Sequence, residues 1–307
     1  MNNIKLSEAF EQLAIQFKHD RWRSRSYKNA ASLLKSHPGT ILSGTEAMEI
    51  KGIGKSIGAK IDELIATGKL SLIENRNPND IQKDRIIQIF EKIYGVGPKT
   101  AEKWYDEGYR SLEDIGKIYH TLTDAQKMGY YYYHQINKRI PRSEMDQYSV
   151  IIDKALKEVG AVHMICGSYR RGEPDSGDID CLVKGDLNIN MSVILNTLMR
   201  TGIMIGQLAL GHTKFMGISR LGEGYNARRI DIVIIAEESW PYATLYFTGS
   251  KQLNIIMRTK ALQKGYTMNE HNMIGPGGEY HAKTEKDIFD FLGMDYLEPT
   301  QRSIGSK

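Results

Sequence analysis

An α+β fold is predicted for this 307-residue chain: all-α modules in the first half, then a mixed sheet with helices, then a small C-terminal α/β subdomain. Three observations carry that reading. Up to about residue 140, apolar residues recur at helical spacing. Within that half, Gly-apolar-Gly followed by an amphipathic helix occurs twice, at Gly52-Ile53-Gly54 and, forty-three residues later, at Gly95-Val96-Gly97. After about residue 160, short β-branched runs alternate with helical ones, above all at 179–183 and 228–235.

Taken in order, Ile4, Leu6, Phe10, Leu13 and Phe17 predict a helix over 4–17. The stretch 18–28 interleaves cations with Trp22 and Tyr27, a composition that neutralises phosphates while rings stack on bases or sugars. Alternatively, the two aromatics are core residues of a small bundle. Ala30, Ala31, Leu33 and Leu34 continue as helix until His37-Pro38-Gly39. The first Gly-apolar-Gly turn opens a helix through Lys60, Ile61, Leu64 and Ile65, stopped by Gly68. The second opens one through Ala101 and Trp104, stopped by Gly108, with Pro98 at a first helical position. Such glycines let backbone approach a ligand closely, and the helix behind them presents free N–H groups. This is the pattern of a helix-hairpin-helix, which grips a phosphate backbone without reading bases.

Between the repeats, the polar stretch 75–80 reads as a linker bounding a small N-terminal domain. Four consecutive tyrosines at 130–133 cannot share one helix face, so some are exposed or packed between domains. Pro141 ends that segment, and Tyr148, Ile151, Ile152, Ala155, Leu156 and Val159 form the next helix. Beyond Val183 come a helix over 191–199, strands at 203–207 and 214–218, the strand at 228–235, and a strand-like run at 244–247. A helix through Leu253, Ile256, Met257, Ala261 and Leu262 is stopped by Gly265. A strand at 268–273 and a short helix at 287–291 complete the chain, whose methionines read as core fillers.

The chemistry concentrates in residues 167–180, Gly-Ser-Tyr-Arg-Arg-Gly-Glu-Pro-Asp-Ser-Gly-Asp-Ile-Asp. Side chains alternate along a strand, so Asp178 and Asp180 point to one face. Two adjacent carboxylates repel unless a cation sits between them, and hard divalent ions such as Mg2+ take such oxygen ligands. Gly167-Ser168 is a turn opening a helix whose free N–H groups hold phosphate, and Arg170 and Arg171 add cationic donors. Asp231 stands near the start of the run 228–235, and a neighbouring strand could bring it beside the pair. Three carboxylates can hold two metals roughly 4 Å apart, one activating an attacking oxygen and both stabilising a transferring phosphate. A phosphate grip beside a carboxylate metal site points to phosphoryl or nucleotidyl transfer. Alone, an Asp-x-Asp is a solvated strand end and a Gly-Ser a bare turn; their coincidence within fourteen residues argues against both.

Composition removes other classes. No apolar run approaches the roughly 18 residues of a membrane span, and the N-terminus lacks an apolar signal region. No membrane partner is expected, and an intracellular address, nuclear or cytoplasmic, is. Cys166 and Cys181 lie in apolar runs and read as small core residues in a reducing compartment. Residues 1–145 hold 23 Lys and Arg against 18 Asp and Glu, and 146–307 hold 18 against 19. The basic half is the one with the hairpins, which suits a polyanion partner.

The segment 167–180 resembles the catalytic signature of the nucleotidyltransferase superfamily, and more narrowly that of the family X DNA polymerases. Further segments agree in the same order: Arg139-Ile140-Pro141-Arg142, Gly211-His212-Thr213-Lys214-Phe215-Met216-Gly217, Arg228-Arg229-Ile230-Asp231-Ile232, Leu245-Tyr246-Phe247-Thr248-Gly249-Ser250 and Lys286-Asp287-Ile288-Phe289-Asp290. The resemblance runs nearly end to end. It implies a nucleotidyltransferase-type sheet and four parts. These are a helical lyase-type domain with the first hairpin at 1–77, a helical DNA-binding subdomain with the second at 78–140, a catalytic palm at 141–250, and a nucleotide-selecting subdomain at 251–307.

By that resemblance Asp178 and Asp180 would bind both of two Mg2+ ions, with Mn2+ as a substitute. Asp231 would bind the one that activates the primer 3′-hydroxyl. Arg139, Ser168, Arg171 and the Gly177 backbone would hold the nucleotide's triphosphate. Tyr246, Phe247 and Gly249 would lie against its sugar, and Asn254 and Arg258 would face the nascent base pair. Lys214 would touch the template backbone, and Arg23, Tyr27, Arg229 and the hairpin glycines Gly52, Gly54, Gly95 and Gly97 would contact DNA. The carbonyls of Ile50 and Ile53, and of Ile93 and Val96, would each hold a Na+ or K+ ion. Lys60 matches the Schiff-base lysine of the family's lyase members. The chain departs from the pattern at Arg23 and Ser56, where lysines are expected, and at Lys251, Val233 and His271, where an acid, an arginine and a tyrosine are. The implied protein is a monomeric repair polymerase. It would fill short gaps in nicked or gapped double-stranded DNA from deoxynucleoside triphosphates, with 5′-deoxyribose-phosphate lyase activity. The alternative is a non-catalytic or template-independent DNA-end binder of the same superfamily.

Overall fold

The computed structural model describes residues 2–17, 20–74, 78–185 and 189–303, without the side chains of Arg21, Glu74 and Pro78. Of the linker expected at 75–80, residues 75–77 lie outside the described residues, as do Lys18-His19 of the basic stretch, and 78–80 instead open helix Pro78–Glu91. The chain divides into two compact units, Met1–Glu91 with Gly97–Ser111, and Lys92–Val96 with Leu112–Lys307.

In the first unit, Asn2 accepts from the Lys5 N–H ahead of helix Asn3–Gln16. Asp20 accepts from the N–H groups of Trp22 and Arg23 ahead of helix Arg21–Ser36. Leu6, Phe10 and Leu13 of the one meet Ala30, Ala31 and Leu34 of the other, and Ile57, Ile61 and Leu64 of helix Lys55–Thr67 join the same core. Tyr27 is buried in that core against Phe10 and Phe17, whereas Trp22 is 83% exposed. Five residues are about 140° of turn on a 3.6-residue helix, which separates the two rings. The core reading therefore fails for Trp22, and Tyr27 is more core than surface. Both hairpins put their first glycine at positive φ, Gly52 at 110° and Gly95 at 82°. Helices Lys55–Thr67 and Pro98–Asp106 then start behind Gly54 and Gly97. Phe90 of helix Pro78–Glu91 meets Trp104 edge-on.

Among the described residues the second unit carries ten strands: β1 (Ile140–Pro141), β2 (His163–Ile165), β3 (Asp175–Ser176), β4 (Ile179–Lys184), β5 (Met204–Leu210), β6 (Lys214–Ser219), β7 (Arg228–Ile235), β8 (Thr267–Met268), β9 (Met273–Gly275) and β10 (Gly278–Glu279). Five form a mixed sheet in the order β2-β4-β7-β6-β5, with β4 and β7 parallel and the other pairs antiparallel. Alternation sorts its faces. Ile179, Cys181, Val183, Ile230 and Ile232 pack with helices Arg142–Glu158 and Met191–Arg200. Leu182 and Ile235 pack with Ala243 of helix Trp240–Thr248 on the other face. Covered on both sides, the central strands read as near-continuous apolar runs. Asp180 and Asp231 share the face of Leu182 and Ile235. β1 pairs with β3 in a separate ribbon, and β10-β9-β8 packs with helices Lys251–Gln263 and Glu285–Leu292 as the C-terminal subdomain.

Two elements differ from expectation. Residues 244–247 are helical, within Trp240–Thr248. Pro241 to Leu245 are all buried, so no polar face marks a helical period, and β-branched and aromatic side chains mimic a strand. Residues 268–273 are not one strand but the ends of β8 and β9. Asn269 accepts from the N–H groups of His271 and Asn272 and reverses the chain between them. Asp178 lies one residue ahead of β4.

Candidate active site

On the parallel strands β4 and β7, Asp180 stands opposite Asp231. The third carboxylate is thus beside Asp180, on the neighbouring strand that the sequence reading required. Burial pushes the Asp180 carboxyl well above the usual carboxylate range, and the charges of Asp178 and Asp231 push it the same way. Asp231 is raised too, by burial first, with Lys214 and Arg229 opposing. Arg229 donates to Asp178, and the Lys214 ammonium lies 3.5 Å from Asp231. Two cations expected on DNA therefore neutralise the aspartates themselves. Among the described residues no three His, Cys, Asp or Glu side chains close into a metal cage. The donor set nevertheless fits a hard divalent ion, because Asp178 and Asp231 oppose the ionisation of Asp180 and a shared cation relieves that crowding.

The one-turn helix Gly167–Arg170 opens over this group. Gly167 has φ 61°, and a Cβ there would stand 2.7 Å from Asp180 Oδ2, so glycine alone permits the approach. The Cys166 N–H donates to the Asp180 carbonyl at 2.8 Å, tying the turn to the strand. Burial pushes the Cys166 thiol up to about 12, and both cysteines are free and buried, as expected of core residues.

A cavity of about 590 Å³ opens over Asp178 and Asp180. Arg139, Ser168, Arg171 and Gly177 line it, as do Tyr246, Phe247, Gly249, Asn254 and Arg258, so all nine residues expected around a nucleotide gather there. Lys251 also lines it. The Ser168 hydroxyl donates to Ser176 Oγ at 2.9 Å, and Arg171 donates to the Thr248 carbonyl at 2.7 Å. Arg139 donates to Asp175, and the Asn254 amide donates to the Tyr246 carbonyl at 2.8 Å. The Arg258 guanidinium stands 5.1 Å over the Tyr246 ring and 3.6 Å from Glu270. Arg170 is not a phosphate donor here. Its guanidinium makes two 2.8 Å hydrogen bonds to Glu285, which also binds the fully buried Arg302. Residues 285 and 302 carried no signal, because nothing in local spacing links them to position 170.

A cavity of about 280 Å³ in the first unit is lined by Arg23, Ser26, Tyr27, Ser56, Ile57, Lys60 and Leu72. Lys60 donates to the Ser56 hydroxyl at 3.1 Å and to its carbonyl at 3.2 Å. At the hairpins, the Ile53 N–H donates to the Ile50 carbonyl and the Val96 N–H to the Ile93 carbonyl, both at 3.0 Å, so the two turns close alike. No helix among the described residues is long and apolar enough to cross a membrane.

Four family models match in succession: a helix-hairpin-helix domain at 1–70, the fingers domain of DNA polymerase lambda at 88–137, the DNA polymerase beta palm at 139–237 and the DNA polymerase beta thumb at 243–303. Among curated relatives, DNA polymerase lambda of Rattus norvegicus is 32% identical over 98% of this chain and 56% of its own length. DNA polymerase lambda of Arabidopsis thaliana is 31% identical over 98% of this chain and 62% of its own. The chain spans little more than half the length of these relatives. With the sheet register, the glycine-gated turn and four consecutive domain matches in agreement, the chain belongs to the family X DNA polymerases.

Proposed function

We propose that the chain is a DNA-directed DNA polymerase of the repair type, filling short gaps in nicked or gapped duplex DNA from deoxynucleoside triphosphates, as a monomer. The observation that carries this reading is the register of Asp180, which lines a cavity with Arg139, Ser168 and Arg171, against Asp231 on the neighbouring strand. Asp178, Asp180 and Asp231 would hold two Mg2+ ions, or Mn2+, which when bound supply charge neutralisation and an acidified primer hydroxyl. Ser168, Arg171, Arg139 and the Gly177 N–H grip the triphosphate and stabilise charge building on the leaving pyrophosphate. The Asp231 carboxylate takes the proton of the attacking hydroxyl. Tyr246, Phe247 and Gly249 lie against the sugar and exclude a 2′-hydroxyl, while Asn254 and Arg258 face the new base pair. Arg23, Tyr27, Lys214, Arg229 and the two hairpins hold the DNA, each hairpin with a Na+ or K+ ion on its carbonyls. The parts at 1–77, 78–140, 141–250 and 251–307 divide these tasks. Primer extension with Mg2+ on a one-nucleotide gap tests the reading. Wild type is expected to extend and Asp231→Ala to fail, whereas failure of both would favour a DNA-end binding protein.

A second activity, 5′-deoxyribose-phosphate lyase, is favoured by the small cavity that combines Lys60 with Arg23, a cation placed for a 5′-phosphate. Lys60 would attack the sugar aldehyde to form a Schiff base. Borohydride should trap wild type on incised abasic DNA and leave Lys60→Ala untrapped; equal trapping of the two would remove Lys60 from the role.

A further inference from the structure

Arg139 and Ser168 are both held by one short segment of the chain itself. The β1–β3 ribbon pairs Pro141 with Asp175 and Ile140 with Ser176, which brings Arg139, just ahead of β1, beside Asp175. Arg139 Nε and Nη2 both donate to Asp175 Oδ1, at 2.9 and 2.6 Å, and Nη2 also donates to the Asp175 carbonyl at 3.0 Å. Ser176 takes the Ser168 hydroxyl. Nε and Nη2 carry three of the five N–H donors of a guanidinium. What remains, Nη1, lies over Gly177 on the cavity wall. The Arg139 and Asp175 side chains are 57% and 45% exposed. Such a pair is weak, and a phosphate offering charge-assisted, two-pronged acceptance can replace the carboxylate.

We propose that Asp175 is a surrogate anion that sets nucleotide affinity: it occupies the fork of Arg139 until a triphosphate takes its place, and this competition weakens nucleotide binding. The proposal rests on the reading of the cavity as a nucleotide site. Asp175→Asn keeps an acceptor but no charge, and Asp175→Ala removes both, so each loosens the hold on Arg139. Since an exposed ion pair is small, the expected gain in nucleotide affinity is roughly threefold. It should fall on KM rather than kcat.

The experiment uses the full chain with gapped DNA bearing a dideoxy-terminated primer and Mg2+, and reads deoxynucleoside triphosphate binding by equilibrium dialysis. Gap filling on an extendable primer is run in parallel. Asp175→Asn should tighten binding in the wild-type background and have no effect when Arg139→Ala is also present. The gain should shrink from about 0.05 to about 0.5 M salt, because exposed charges are screened. Weaker binding by Asp175→Asn would mean that Asp175 orients Arg139 for phosphate, and overturns the proposal. Unchanged binding, or a gain that survives without Arg139, overturns it too. A wild type that binds nucleotide yet extends no primer overturns the polymerase reading alone, since dialysis needs no turnover.

Discussion

At Gly167, a missing methyl group lets the turn 167–170 lie against the strand that carries Asp180. Gly167→Ala would strain a left-handed backbone by about 1–2 kcal/mol and force the turn off Asp180. Single-turnover gap filling should fall at least about tenfold, one near-attack ångström being worth more than that, while the melting temperature drops by only a few degrees. Full activity with an unchanged melting temperature would mean the turn tolerates the methyl. At this scale strand spacing made Asp178 and Asp180 legible as neighbours, whereas the nine residues expected around a nucleotide came from the family resemblance and not from spacing. Arg170 was misread because its acceptor, Glu285, is 115 residues away. Trp22 and Tyr27 were ambiguous because composition shows that a helix has aromatics but not which way each ring faces.

Among elements, those with a polar face were legible and those without one were not. Helices such as Arg142–Glu158 alternate cleanly between core and water, whereas Trp240–Thr248 is enclosed by the sheet on one side and the C-terminal subdomain on the other. Helix Glu285–Leu292 joins that subdomain to the palm through its first residue. Burial pushes the Glu285 carboxyl up, but hydrogen bonds from Arg170 and Arg302 outweigh it and hold the group below its ordinary range. A carboxylate depressed on folding contributes stability above its unfolded pKa and loses it as pH falls through the folded value. Glu285→Gln, which leaves Arg170 and Arg302 without a counter-charge, is expected to cost roughly 3–5 kcal/mol near pH 7. The difference from wild type should narrow below about pH 4.3, where wild-type glutamates begin to protonate. Urea unfolding at both pH values checks this, and a gap that stays constant into acid would contradict the ion-triad account.

For the molecule as a whole, the charge asymmetry only suited a polyanion, and it was the two hairpins in the basic half that pointed to a phosphate backbone. Lys214 tests how far the asymmetry extends into the catalytic unit, since it faces Asp231 at 3.5 Å. If it reaches a template phosphate when DNA binds, Lys214→Ala should lower the log–log salt slope of DNA affinity by about 0.9. An unchanged slope would confine Lys214 to neutralising Asp231. The hydrogen bond from the Cys166 N–H to the Asp180 carbonyl has a wider meaning. It welds the turn that would cradle a leaving group to the rail bearing the aspartates, back to back, so that the span between them is inherited from peptide geometry. On the proposed polymerase reading, a catalyst built this way would carry its own yardstick and need only be handed the primer end.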